Sequence, residues 1–289
     1  MEEKSKITVV PWDFTPVAEN ALAHAVKISN MVHNEICLLH IVDKGIKPAE
    51  EGQKLAALKL IASESSARYH IPITAATEKG SIFTAIADYV NDKDKKNEKE
   101  ANIVVMGTHG MKGMQKLTGS WALKVIVGSK VPFIVVQDPP SDQGRFHNIV
   151  FPVDFKKENK EKIRMAIFMG KYFESKIHLL VTVSTDTALV KKTRINLNFA
   201  IKYFSQNNID YEIHEVAKGN FAEQTLEFAQ KINADMILIV TTKNITFADY
   251  MLGASEQYMI ANSSKIPVCC VNPKSTFANT AQFMGGWGS

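Results

Sequence analysis

What most constrains this chain is that it repeats. The stretch VVPWDFTPVAENALAHAVKI near the start returns later as IVFPVDFKKENKEKIRMAIFM, setting Pro11, Asp13 and Phe14 on Pro152, Asp154 and Phe155 at an offset of 141. The same offset places Leu22, Ala25 and Val26 on Ile163, Ala166 and Ile167, apolar positions at helical spacing. It also lays LLHIV (38–42) on LLVTV (179–183), branched apolar runs suited to a buried strand. Further on, EKGSIFTAIADYV matches AKGNFAEQTLEFA with Gly80 on Gly219, and ANIVVMGTHG falls on ADMILIVTTK at a smaller offset of 133. The charged run DKDKKNEKE (92–100) accounts for the drop: it reads as an insertion in the first copy, a solvated loop or frayed helix end. Preserved order with drifting offsets is what duplication followed by loop insertion leaves.

Two copies in 289 residues give domains of ordinary size. The expected division is a first domain over 1–138, a Pro-, Gly- and polar-rich linker over 139–146, a second domain over 147–274 and a tail over 275–289. In copy one, strands are expected at Thr8–Pro11, Glu35–Val42, Ile73–Thr77, Ile103–Met106 and Phe133–Gln137, alternating with amphipathic helices. Continuous Val, Ile and Leu in such strands argue for an α/β fold, a doubly wound parallel sheet covered on both faces. Ligands of such sheets collect beyond the carboxyl ends of the strands, where the strand order reverses. The strands ending at Pro11 and Met106 would flank that point.

A net charge of +4, from 34 basic and 30 acidic residues, is too small to argue for nucleic acid or an anionic membrane. No apolar run approaches the roughly 20 residues of a membrane span. Cys37, Cys269 and Cys270 lie inside apolar runs, and this odd count predicts reduced thiols and a cytoplasmic location.

The chemistry concentrates in VVMGTHGMKGMQKLTGSWALKVI (104–126). Neither a P-loop nor a Gly-x-Gly-x-x-Gly fingerprint is present. Bare backbone at Gly107 and Gly110 would admit a ribose-phosphate, and Gly119-Ser120 opening a helix would aim N–H groups at an anion. Equally, Ser120 can be a helix cap and the glycines turn residues. Asp13 can meet a ligand or cap the following helix, and His109 can meet a phosphate or face solvent. The other histidines (24, 33, 40, 70, 147, 178, 214) show no metal-ligand spacing, so no metal site is expected. No catalytic set is identified.

Taken together, VVPWDFTPVAENAL, LLHIVD and VVMGTHG…TGSWALKVIVGSKVPFIVVQ resemble the universal stress protein family, here as two domains in tandem over 1–137 and 147–272. The resemblance implies two five-stranded, adenine-nucleotide alpha hydrolase-like domains, packed through their last strands as a pseudo-dimer within one chain. It also implies a regulatory module binding ATP or a related adenine nucleotide, with Mg²⁺ accompanying it. Pro11, Trp12 and Asp13 would lie beside the adenosine, and the main chain near Val42 would read the adenine edge. Met106 would lie against the nucleoside, and Gly107, His109, Gly110, Gly119, Ser120 and Trp121 would surround the ribose and phosphates. The Gly110–Gly119 spacer, eight residues, is one shorter than the family pattern. Trp12 stands where a small residue is common. In the second copy a gapless match sets Thr241 and Asn244 in place of Gly107 and Gly110, so this half is expected to be structural. The runner-up reading is an interaction scaffold that binds no nucleotide, and an ATP-hydrolysing enzyme ranks third. Association of whole chains into a homo-oligomer stays open.

Overall fold

The computed structural model describes residues 6–91, 99–108, 119–141, 145–241 and 255–273. The first copy runs β1 (Lys6–Pro11), α1 (Pro16–Val32), β2 (Glu35–Val42), α2 (Pro48–Tyr69), β3 (Ile73–Lys79), α3 (Ile82–Asn91), β4 (Glu100–Gly107), α4 (Gly119–Val127) and β5 (Phe133–Val136). The second runs β6 (Asn148–Val153), a 3-10 segment (Lys157–Lys162), α5 (Ile163–Phe173), β7 (Lys176–Thr182) and α6 (Thr187–Gln206). It continues through β8 (Tyr211–Val216), α7 (Phe221–Lys231), β9 (Met236–Val240), α8 (Ser255–Ile260) and β10 (Val268–Val271). All five strands expected in the first copy form, because their branched apolar runs suit a two-sided sheet.

The ten strands make one sheet in the order β3-β2-β1-β4-β5-β10-β9-β6-β7-β8. Every pairing is parallel except at the centre, where β5 and β10 run antiparallel with Phe133 opposite Cys270 and Val135 opposite Val268. The expected pseudo-dimer is therefore realised as a continuous sheet. Strand alternation sends Val10, Ile103 and Val105 to one face, under α1, α2, α5 and α6. Val9, Val104 and Met106 go to the other, under α3, α4, α7 and α8. Cys269 and Cys270 follow the same rule and face opposite cores. Both are free thiols, pushed well above their ordinary pKa by burial.

Two features lock the halves together. Asn272, just past β10, donates to the Ile126 and Ser129 carbonyls at the end of α4 and accepts from the Thr241 hydroxyl. The connection between the halves is also docked. Phe146 is buried in the core, 5.3 Å from the Phe173 ring. On α1, Asn20 and Lys27 donate to the Gln137 and Arg145 carbonyls, and His24 bonds the Asp138 carbonyl. No helix among the described residues is long and apolar enough to cross a membrane.

Candidate functional site

Leaving β1, the chain crosses to β2 on one side and later returns through β4 on the other. A gap between successive connections opens there, at the carboxyl ends of β1 and β4. The local sequence shapes its floor. Trp12 continues the ladder by donating its N–H to the Leu39 carbonyl at 2.8 Å. Asp13 then accepts the Thr15 N–H at 3.0 Å and the Thr15 hydroxyl through the same Oδ1, an Asx turn. Phe14 takes a left-handed conformation (φ 62°), and Pro16 opens α1. Asp13 is thus a turn-former, and its Oδ2 has no bond among the described residues.

Pro11, Trp12, Asp13, Met106 and Gly107 line one cavity of about 70 Å³, together with Val17, Leu39, His40, Ile41 and Ile82. Ile41 and Ile82 also border an open cleft of about 590 Å³ that takes in Val42, Lys44 and Lys54. The enclosed part is small beside the ~300–1,000 Å³ of ordinary ligand sites, whereas the open part lies within that range. Trp12 explains the narrowness: its side chain is 3% exposed and belongs to the core.

Gly107 has a packing reason to be glycine. A Cβ there would stand 2.5 Å from the Val17 carbonyl oxygen and 2.6 Å from Val17 Cγ1, so the first turn of α1 closes directly over β4. Val42 is placed differently from expectation. Its carbonyl accepts the Gly80 N–H at 2.9 Å, on the β3 side. Alternation along β2 turns the main-chain groups of Ile41 toward β1 instead, beyond the point where β1 pairing stops at Leu39. His109 and Gly110 lie outside the described residues. Gly119, Ser120 and Trp121 form the first turn of α4, and only their backbone is described.

One site residue escaped the sequence reading. His40 holds Nδ1 2.7 Å from the Trp12 carbonyl, and its ring meets Phe14 edge-on at 5.0 Å. A carbonyl can only accept, so Nδ1 carries the proton and Nε2 presents a lone pair. That Nε2 and the Trp12 indole N–H are both buried, with no partner among the described residues. Both residues line the cavity, and buried polar atoms without a partner are uncommon in native proteins.

In the second half the corresponding aspartate is bonded by neighbouring side chains as well as by its own turn. Asp154 Oδ1 takes the Lys156 N–H at 2.8 Å and the Asn159 amide, while Asn196 bonds the carbonyls of Asp154 and Lys156, both at 2.8 Å. The sheet register corrects the gapless match. Val136 pairs with Gly107 and Val271 with Val240, so Val240, not Thr241, stands where Gly107 does. Thr241 corresponds to Thr108: each donates its N–H to the last strand of its half at 2.9 Å. Val240 needs the room that α1 occupies in the first half, and here the helix begins as the 3-10 segment. Asn244 lies outside the described residues.

Lys162 is buried beneath this segment, donating to the Pro152 carbonyl and lying 4.3 Å from the Phe151 ring centre. Burial lowers its pKa from 10.5 to about 7, with Asp154 opposing and Lys156 adding to the shift. Between those values the unfolded chain holds a proton the folded chain lacks, so stability rises with pH across that window. Urea midpoints at pH 7 and pH 9 should show a larger gain for the wild type than for Lys162→Met. The methionine variant should also be the more stable of the two at pH 7.

Residues 4–137 match the model of the universal stress protein family. Over 160 residues the chain is 27% identical to universal stress protein MJ0531 of Methanocaldococcus jannaschii, an alignment covering 49% of this chain and 87% of that protein. A universal stress protein from Archaeoglobus fulgidus superposes with a TM-score of 0.72 over 92% of this chain and 96% of its own, at 15% identity. A functionally unknown protein from Pseudomonas aeruginosa, PA1789, gives 0.60 over 99% and 98%, at 14% identity. At such identities the likeness is one of fold, and it extends across both halves.

Proposed function

Because residues 4–137 match the universal stress protein family, we propose that this half is an adenine-nucleotide-binding regulatory module. ATP or a close relative is the ligand, with Mg²⁺ accompanying the phosphates. The observation that carries the reading is the cavity at the β1–β4 crossing, lined by Trp12 and His40, each with a buried ring nitrogen that has no partner among the described residues. An adenine edge offers the complementary acceptor and amine donor. Pro11, Asp13 and Met106 flank the nucleoside, the Ile41 main chain takes the role assigned to Val42, and Asp13 Oδ2 accepts from the ribose. The N-terminus of α4, at Gly119 and Ser120, attracts the phosphates. The second half, whose Asp154 is taken up by Lys156 and Asn159, is structural.

A specific observation favours the competing scaffold reading: Trp12 fills the enclosed space and leaves only about 70 Å³. One experiment decides. The protein is purified, denatured, and its supernatant assayed for nucleotide, alongside thermal shift with millimolar ATP. Adenine nucleotide should be recovered from the wild type, and Asp13→Ala should bind at least about tenfold more weakly, the scale of one lost charge-assisted hydrogen bond. No released nucleotide and no shift with ATP would establish the scaffold instead.

A further inference from the structure

Away from this crevice, the two outermost strands of the second half, β7 and β8, bring together three groups with no part in the nucleotide reading. Glu212 and His214 are two apart on β8, so the strand's period puts them on one face, and His178 on β7 sits in register with Glu212. Their donor atoms lie within 4.8 Å of one another. We propose that His178, His214 and Glu212 form a binding site for a divalent transition metal of the zinc class.

The protonation pattern supports it. His178 Nε2 lies 3.1 Å from Asn148 Oδ1, an acceptor, so the proton sits on Nε2 and Nδ1 keeps its lone pair, which accepts from His214 Nε2–H here and would turn to the metal once that proton is displaced. An imidazole whose far nitrogen is held by an amide oxygen has the usual arrangement of a metal ligand. His214 Nε2 stands 3.0 Å from His178 Nδ1 and 3.9 Å from Glu212 Oε1. Donors about 2.0–2.1 Å from a tetrahedral zinc ion stand roughly 3.3 Å apart. The two His214 separations bracket that value, and all three donors lie within 4.8 Å of one another. The carboxylate is divided to suit: Lys176 holds Oε2 at 2.8 Å and leaves Oε1 toward the histidines. On the inner side, Phe228 of α7 packs against His214 with ring centres 4.6 Å apart.

Two imidazoles and one carboxylate suit zinc-class ions over Ca²⁺ or Mg²⁺, which prefer all-oxygen shells. Three protein ligands leave a fourth position for water or an external donor. The metal would staple β8, an edge strand of the sheet, to its neighbour.

The test uses the full-length protein without a polyhistidine tag, titrated with Zn²⁺ by calorimetry and with Co²⁺ by visible absorption. One ion per chain and the d–d bands of tetrahedral Co²⁺ are expected. Both should be lost or weakened at least tenfold in His214→Ala and in Glu212→Gln, whose side chains are accessible enough to change without disturbing the core. Asn148→Ala should weaken binding by about 10–100-fold through the outer hydrogen bond. No uptake at micromolar metal, or uptake unchanged by His214→Ala, would overturn the site and leave a hydrogen-bonded histidine pair.

Discussion

Replacing Gly107 with valine should lower the stability of the protein by about 3 kcal/mol or more, whether or not nucleotide is present. The first added atom would meet the Val17 backbone at 2.5 Å, and a backbone carbonyl at the start of a packed helix has no rotamer by which to move aside. Relief requires lifting the first turn of α1, which also carries Val17 and Ala18 at the cavity wall. Gly107→Ala should show most of the same loss, because the conflict begins at Cβ. Urea unfolding measures it. Gly52→Ala serves as the contrast, because it is exposed within α2 with no atom within 4 Å of the added carbon. It should gain about 0.5–1 kcal/mol from helix propensity. A Gly107→Ala variant as stable as the wild type would show that α1 yields readily and that the glycine answers to something other than packing. The expected loss also makes Gly107 a poor probe of binding, and Asp13 a better one.

Phe133→Ala should cost about 3–5 kcal/mol, and the loss should appear in both halves at once. Phe133 is fully buried in β5, paired with Val104 on one side and opposite Cys270 on the other. Removing its ring leaves a cavity at the seam, where each half relies on the other to cover its last strand. Far-UV circular dichroism and tryptophan fluorescence should therefore give coincident midpoints in the wild type and in the variant, with the variant shifted to lower urea. Two separable transitions in the variant would mean that the halves are only loosely joined.

The strands and the pseudo-dimer were legible because they rest on patterns that survive duplication. Runs such as EICLLHIV and KIHLLVT admit one structure in two places, and each copy ends in a short apolar strand that needs a partner. The site was legible only in outline. Pro11, Asp13 and Met106 could be found because strand ends are predictable, but Gly107 could not be interpreted. A glycine kept bare for a helix and one kept bare for a phosphate are identical in sequence. The second half carried an error of one residue: the later glycine pair, Gly119 and Gly253, is offset by 134 and sets Thr241 on Gly107, whereas the strand's own offset of 133 and the sheet register both set Val240 there. His40 was missed because its partner is a main-chain carbonyl 28 residues away, which leaves no trace in side-chain pattern. His178 and His214 were passed over because their adjacency is created by the pairing of β7 with β8 and by no local spacing.

The docked connection between the halves has a consequence for assembly. Phe146 sits in the core, and the carbonyls of Gln137, Asp138 and Arg145 are held from α1, so both described ends of the connection are anchored. Two chains exchanging halves would have to extract that ring and break those bonds in each partner. The tether also keeps the second β5–β10 partner at a very high local concentration, against which another chain competes poorly. Domain swapping is thereby disfavoured twice, and any association between whole molecules has to use surfaces other than the central seam.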